Sequence, residues 1–182
     1  MTTYSLNAGL FVFDRDLRAV GDPVEALEAV ASAGFQETEL MAEGDEWQTP
    51  GGHDPAKLRA AVDHLGIFPH TIHAPFQNVN LASPDPELRR AGVAVVADAI
   101  RFLGELGGRT AVVHPSARPG PGEPAYVLDN LGAAMENAHR SVGELVRVAE
   151  ETGVRIALEN LARGGMDCRP LETTQELRAL IA

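Results

Sequence analysis

The sequence predicts an α/β chain built on a parallel sheet, and three observations predict it. Short apolar runs alternate with longer segments of helical spacing, the helical segments open on Asp-Pro or Thr caps, and glycines stand where they stop. Parallel neighbours in a sheet need crossover connections, and a helix is the usual crossover. A length of 182 residues, 45% hydrophobic and 23% charged, suits one globular domain spanning 1–182.

The first apolar run, 6–13, leads to Asp22-Pro23, a cap followed by proline at the first helical position, with Glu25 placed for a capping box. The helix that follows runs to Gly34. Its apolar residues Val24, Leu27, Val30 and Ala31 share one face, leaving Glu25 and Glu28 to water. A second strand is expected at 37–42, then a polar stretch at 43–52, then the cap Asp54-Pro55 and a helix to Gly66. The third strand, 67–73, ends in His73-Ala74-Pro75. A loop at 78–83 precedes the cap Asp85-Pro86 and a long helix, 88–106, with Val95, Val96, Ala99, Ile100 and Leu103 on its apolar face. Gly107-Gly108 stop it.

The fourth strand is 110–114. The Pro- and Gly-rich stretch 115–124 is a surface excursion and not a domain linker, because the same rhythm resumes after it. A helix over 125–152 closes at Gly153, and a fifth strand, 154–158, ends in Glu159-Asn160. Thr173 or Thr174 then caps a last helix with Leu177, Leu180 and Ile181 on one side.

Two architectures satisfy this pattern. A doubly wound sheet binds ligands at a topological switch point, whereas a (β/α)8 barrel gathers all strand ends around one mouth. The dinucleotide-binding form of the doubly wound sheet needs a glycine-rich loop after its first strand, and Gly9 stands alone there. The barrel is therefore the expected type. About five βα units are present, where a complete barrel has eight in about 250 residues, so the expectation is a partial barrel with an open strand edge.

The formal charge of -11, from 26 acidic and 15 basic side chains, disfavours attraction to a nucleic-acid backbone and favours a small-molecule partner. No apolar run reaches the roughly 18 residues of a membrane span. No basic segment followed by an apolar one stands at the N-terminus, which makes the cytoplasm the expected location. The single cysteine, Cys168, has no internal disulfide partner, and no base is indicated beside it.

In either architecture the residues that end the strands are the ones to inspect for function. The second strand contains Glu39, the third ends at His73, the fourth at His114 and the fifth at Glu159. Two imidazoles with carboxylates suit manganese, zinc, cobalt or magnesium better than calcium. Each residue also has a structural reading: Glu159 as a cap on nearby amides, the histidines as satisfied residues below the mouth, Glu39 as a solvent-facing side chain and Asn160 as a loop anchor. His53, His64, His70 and His139 read as surface or helix residues, and Trp47 as a packing residue.

Four stretches together resemble a family. They are His73-Ala74-Pro75-Phe76 leading into Asn80-Leu81-Ala82-Ser83, Val112-Val113-His114-Pro115, Ala157-Leu158-Glu159-Asn160, and the long helices between them in matching order. The chain resembles the xylose-isomerase-like TIM barrels, which include sugar isomerases, epimerases and metal-dependent apurinic endonucleases. The resemblance implies that Glu159 is the fifth-strand metal-binding carboxylate, beside the reacting carbon in isomerase members. It implies that His73 and His114 ligate metal, as in endonuclease-like members, or line the substrate pocket, as in isomerase-like ones. Glu39 and Asn160 are further substrate-contact candidates.

The function so implied is a sugar or polyol isomerase or epimerase, moving a proton next to a carbonyl through an enediolate with a metal polarising the oxygens. The alternatives are a phosphodiester endonuclease, for which Arg118, Arg163 and Arg169 are the available cations, and a noncatalytic binding or assembly unit. Such barrels complete their metal site with an aspartate, a histidine and a glutamate from strands six to eight. Those strands fall outside this pattern, so the chain is expected to be incomplete and inactive alone, or to pair its open edge with another chain as a homo-oligomer. Ser116 stands where a glycine often follows the fourth-strand His-Pro.

Overall fold

The computed structural model describes residues 5–7, 22–43, 47, 54–117, 128–160 and 170–181. Among these residues ten elements alternate: β1 (Ser5–Asn7), α1 (Pro23–Ser32), β2 (Glu37–Met41), α2 (Pro55–Leu65), β3 (Phe68–His73), α3 (Pro86–Glu105), β4 (Thr110–Val113), α4 (Leu128–Thr152), β5 (Arg155–Leu158) and α5 (Thr174–Leu180). The five strands form one sheet in the order β1-β2-β3-β4-β5, every pair parallel. That order decides between the two architectures. A doubly wound sheet reverses direction part-way, whereas here each strand is added beside its predecessor, as in a (β/α)8 barrel. The sheet is a barrel wall of five strands, with β1 and β5 at its edges.

The caps explain why the helices start where they do. Asp22, Asp54 and Asp85 each precede a proline and accept hydrogen bonds from first-turn amides, at 2.8 Å from Val24 N in the first case. The capping box expected at Glu25 is not what holds α1: Glu25 is exposed, and Asp22 pairs instead with Lys57 Nζ at 2.6 Å, tying α1 to α2. A reciprocal box closes α5, where Thr173 and Glu176 serve each other's backbone. Gly66, at φ 65°, ends α2 in the left-handed region that glycine adopts without steric cost.

Burial follows the two periods read from the sequence. Val95, Val96, Ala99, Ile100 and Leu103 on α3 are all buried, as are Leu27 and Val30 on α1. They meet the strand residues Leu40, Ile72, Ala111 and Val113, none more than 4% exposed. Each Val, Leu or Ile side chain among them contributes about 1.5–3 kcal/mol by leaving water. Trp47 joins this core edge-to-face with Phe102, ring centroids 5.4 Å apart, as expected of a packing residue.

Several boundaries differ from the sequence expectation: β2 ends at Met41, β3 starts at Phe68, β4 ends at Val113 and β5 starts at Arg155, each one residue inside the expected run. The first strand runs Ser5–Asn7, and the remainder of 6–13 lies outside the described residues, as do Gly9, His53, Arg118, Arg163, Cys168 and Arg169. The long helix starts at Pro86, as the expected Asp85-Pro86 cap implies, and ends at Glu105, one residue before the expected end. Ile181 does not join the buried side of α5: the helix ends at Leu180, and Ile181 is 70% exposed. Among the described residues, no helix is long and apolar enough to cross a membrane.

Candidate metal centre

Register builds the site. Thr71, Thr110 and Arg155 pair across β3, β4 and β5, and two residues further on His73, Val112 and Ala157 pair in the same way. Alternation then places His114 and Glu159 on the face shared with His73, opposite the helix-packed row of Ile72, Ala111 and Val113. The ladder continues past the strands: Ala74 N donates to Val112 O at 2.9 Å and Glu159 N to Val113 O at 3.0 Å. These bonds carry strand-like backbone up to the three candidate side chains.

His73 Nε2 lies 3.6 Å and His114 Nε2 3.5 Å from the same oxygen, Glu159 Oε2. One ligand atom from each residue falls within 4.8 Å of the others. A direct hydrogen bond of this kind would be about 2.7–3.2 Å long, so the three groups stand slightly too far apart to bond each other. The spacing fits a cation between them, since bonds of about 2.1 Å in tetrahedral geometry separate ligand atoms by about 3.4 Å. A centre with three protein ligands of this kind would keep a fourth coordination position open.

The surroundings suit this use. His73 Nδ1 is 3.1 Å from Ala74 O; a carbonyl only accepts, so a hydrogen on Nδ1 makes this contact a hydrogen bond and turns Nε2 toward the cluster. The imidazoles are mostly covered, with 12% and 17% of the side chains exposed, while the Glu159 side chain is half open at 51%. Phe76 forms a wall against both rings, with centroids 5.0 Å from His73 and 5.0 Å from His114. The two imidazoles themselves meet edge-to-face at 4.9 Å.

The other expected site residues lie apart from this cluster. Glu39 pairs with Thr71 in the register, one layer deeper on the same face, and accepts from Thr71 Oγ1 at 2.9 Å. Asn160 is exposed and donates through Nδ2 to Glu172 O at 3.3 Å, joining the end of β5 to the segment before α5. His64 and His139 are exposed on α2 and α4, and His70 rests near Phe68 on β3.

The loop behind the histidines is bridged by polar side chains. Asn80 Oδ1 accepts from Ala82 N at 3.2 Å and Ala117 N at 3.4 Å, linking the loops after β3 and β4. Ser141 Oγ donates to Leu81 O and Asn137 Nδ2 to Ser83 O, so α4 holds the Asn-Leu-Ala-Ser segment. Ser116 is fully buried and donates to Pro170 O at 2.7 Å, a contact that a glycine there would lack.

Sequence reasoning passed over Glu43. It lies buried beyond β2, where one carboxylate oxygen accepts from Phe76 N and Gln77 N, the latter at 3.0 Å. Burial raises its pKa to about 7, against the two amide hydrogen bonds that lower it. The signal was available: Glu43 directly follows the apolar run Leu40-Met41-Ala42, the rule that singled out His73, His114 and Glu159.

Residues 27–182 match the xylose isomerase-like TIM barrel family. The chain belongs to that family. It is 28% identical over 136 residues to an uncharacterized protein of Methanocaldococcus jannaschii, covering 75% of this chain and 44% of that one. It is 32% identical over 152 residues to a probable endonuclease 4 of Oleidesulfovibrio alaskensis, covering 82% of this chain and 49% of that one. Among solved structures, a D-tagatose 3-epimerase-like protein matches with TM-score 0.74 and 23% identity, over 99% of this chain and 60% of its own. D-allulose 3-epimerase from Methylomonas sp., in complex with D-allulose, matches with TM-score 0.72 and 21% identity, over 98% and 57%. The chain thus spans somewhat less than half the length of these curated relatives, and the structural likeness is one of fold.

Proposed function

We propose that this chain supplies the third-, fourth- and fifth-strand wall of the active site of a divalent-metal-dependent sugar or polyol isomerase or epimerase. The observation that carries the reading is the convergence of His73, His114 and Glu159 at ligand spacing on one face of the sheet. A cation held there would polarise a substrate carbonyl or hydroxyl oxygen. Glu159 is the half-exposed member of the set, so a substrate carbon approaching from the mouth meets its carboxylate first. His73 and His114, held by β3 and β4 and walled by Phe76, keep their orientation while substrate enters. One layer below, Glu39 with its Thr71 partner offers a carboxylate to a substrate hydroxyl, and Asn160 borders the opening. The net charge of -11 favours a neutral polyol over a polyanion.

A second reading, phosphodiester hydrolysis, draws on one specific observation. Both histidines present Nε2 to one carboxylate oxygen, an arrangement that resembles endonuclease-like members, in which these histidines ligate metal.

Metal content comes first. Purified without chelator, the chain is expected to hold close to one equivalent of divalent metal by elemental analysis, and Glu159→Ala to hold almost none; no metal in either would sink both readings. With metal established, the chain joined to a segment that completes the barrel should incorporate solvent deuterium into a ketose. Cleavage of abasic DNA without such exchange would decide for the second reading.

A further inference from the structure

We infer that Glu43 is a positioning residue for the metal centre: it clamps the backbone at Phe76 and Gln77, and through the Phe76 ring fixes the two histidines. The inference deepens the metal reading above and rests on it. Three observations carry it. First, two consecutive amides, Phe76 N and Gln77 N, donate to the same oxygen, Glu43 Oε1, across a separation of more than thirty residues in sequence. A carboxylate gripping adjacent amides fixes both the place and the orientation of the segment that leaves β3. Second, the residue so held is the one whose ring lies 5.0 Å from His73 and 5.0 Å from His114. Phe76 is therefore a single lever touching both nitrogen ligands, and Glu43 sets where that lever rests. Third, Glu43 is 2% exposed, and its second oxygen, Oε2, has no hydrogen-bond partner among the described residues.

That third observation bears on why a glutamate stands here. A carboxyl buried with an unmatched oxygen costs stability that an apolar side chain would not. The raised pKa agrees with this cost and puts much of the group in its neutral form near neutral pH. A residue that weakens the fold while ordering one loop at the candidate site is better explained by the loop than by the core. What the loop requires is an acceptor oxygen, so a glutamine should serve nearly as well.

The test uses cobalt(II) as the probe, because its visible spectrum reports ligand geometry as well as affinity and needs no turnover. Glu43→Ala should weaken cobalt binding about tenfold, the lower end of the effect of removing a residue that orients a ligand. It should also alter the spectrum. Glu43→Gln, which keeps an acceptor for both amides, should recover most of the affinity, and Phe76→Ala should reproduce the Glu43→Ala loss. Hydrogen exchange gives a metal-free readout: the Phe76 and Gln77 amides should exchange faster in Glu43→Ala than in the parent or Glu43→Gln. Parent-like affinity in Glu43→Ala overturns the inference, as does a Glu43→Gln chain as weak as the alanine variant. Should Glu43→Ala fail to fold, Phe76→Ala and Glu43→Gln decide between the same two outcomes. If the parent binds no cobalt, the metal reading fails by itself, and unchanged amide exchange would separately overturn the clamp.

Discussion

The two faces of the same strands are built to different rules. On the face toward the helices, Leu40, Ile72, Ala111 and Val113 are closed off from water, each with an aliphatic or methyl side chain. On the opposite face the polar residues Glu39, Thr71, His73, Thr110, His114 and Glu159 stand among Met41, Val112 and Ala157, all of them only partly covered. Alternation along β3, β4 and β5 makes the two sets independent at the level of side chains, since neighbours in sequence point apart. Fold stability is therefore concentrated on one face and the candidate metal centre stands on the other, joined by a shared backbone.

That separation can be broken or sharpened by measurement. The largest expected effect is on the helix face: Ile72→Ala, at a fully buried position, should cost about 4 kcal/mol in urea unfolding. A chain that loses less than about 1 kcal/mol would show that this row is not the core. On the other face, Glu159→Ala should lower cobalt affinity at least about 100-fold if the proposed centre is correct, because it would remove a ligand and not merely a residue that orients one. Its unfolding curve without metal should stay close to the parent's; a large shift would mean that the two faces are coupled.

Glu43 sits between the two rules, and pH exposes it. Its pKa is raised from 4.5 to about 7 by burial, so the folded chain holds this proton more tightly than the unfolded one. The stability from that uptake is fully present below about pH 4.5 and is lost as pH rises through about 7. Between about pH 5 and 8 the parent should lose about 2 kcal/mol that Glu43→Gln does not lose, read from urea midpoints at each pH. Parallel pH profiles for the two chains would remove Glu43 as the cause. The smallest effect is expected at Ser116: Ser116→Ala deletes the 2.7 Å bond to Pro170 O and should cost about 1 kcal/mol. It should do so without changing cobalt affinity, because Ser116 touches neither the ligands nor Phe76 in any contact described above.

Much of the fold was legible because its signals are local. The Asp-Pro caps at 22–23, 54–55 and 85–86 fix helix starts through bonds within three residues, and the glycines at 34, 66, 107 and 153 all adopt positive φ. The candidate site was legible in part for the same reason: a polar residue directly after an apolar strand is visible in one dimension, and the motif resemblance added the family. Glu43 fits the same rule, but its partners at Phe76 and Gln77 are distant in sequence and no local pattern announces a clamp. The Ile181 expectation failed for a related reason, since periodicity continues on paper after a helix has ended in space.

By itself the sequence determined the alternation of strand and helix, the residue that ends each strand, and which side chains alternate toward water. These follow from backbone sterics, capping and the periods of 2 and 3.6, all short-range. Tertiary structure alone decided that the strands add in sequential order, that the register sets His114 beside Glu159, and that Glu43 reaches across to the loop behind His73. Those are relations between segments tens of residues apart. They are fixed by how helices pack on the sheet and how backbone hydrogen bonds align neighbouring strands, neither of which any single stretch of the chain contains.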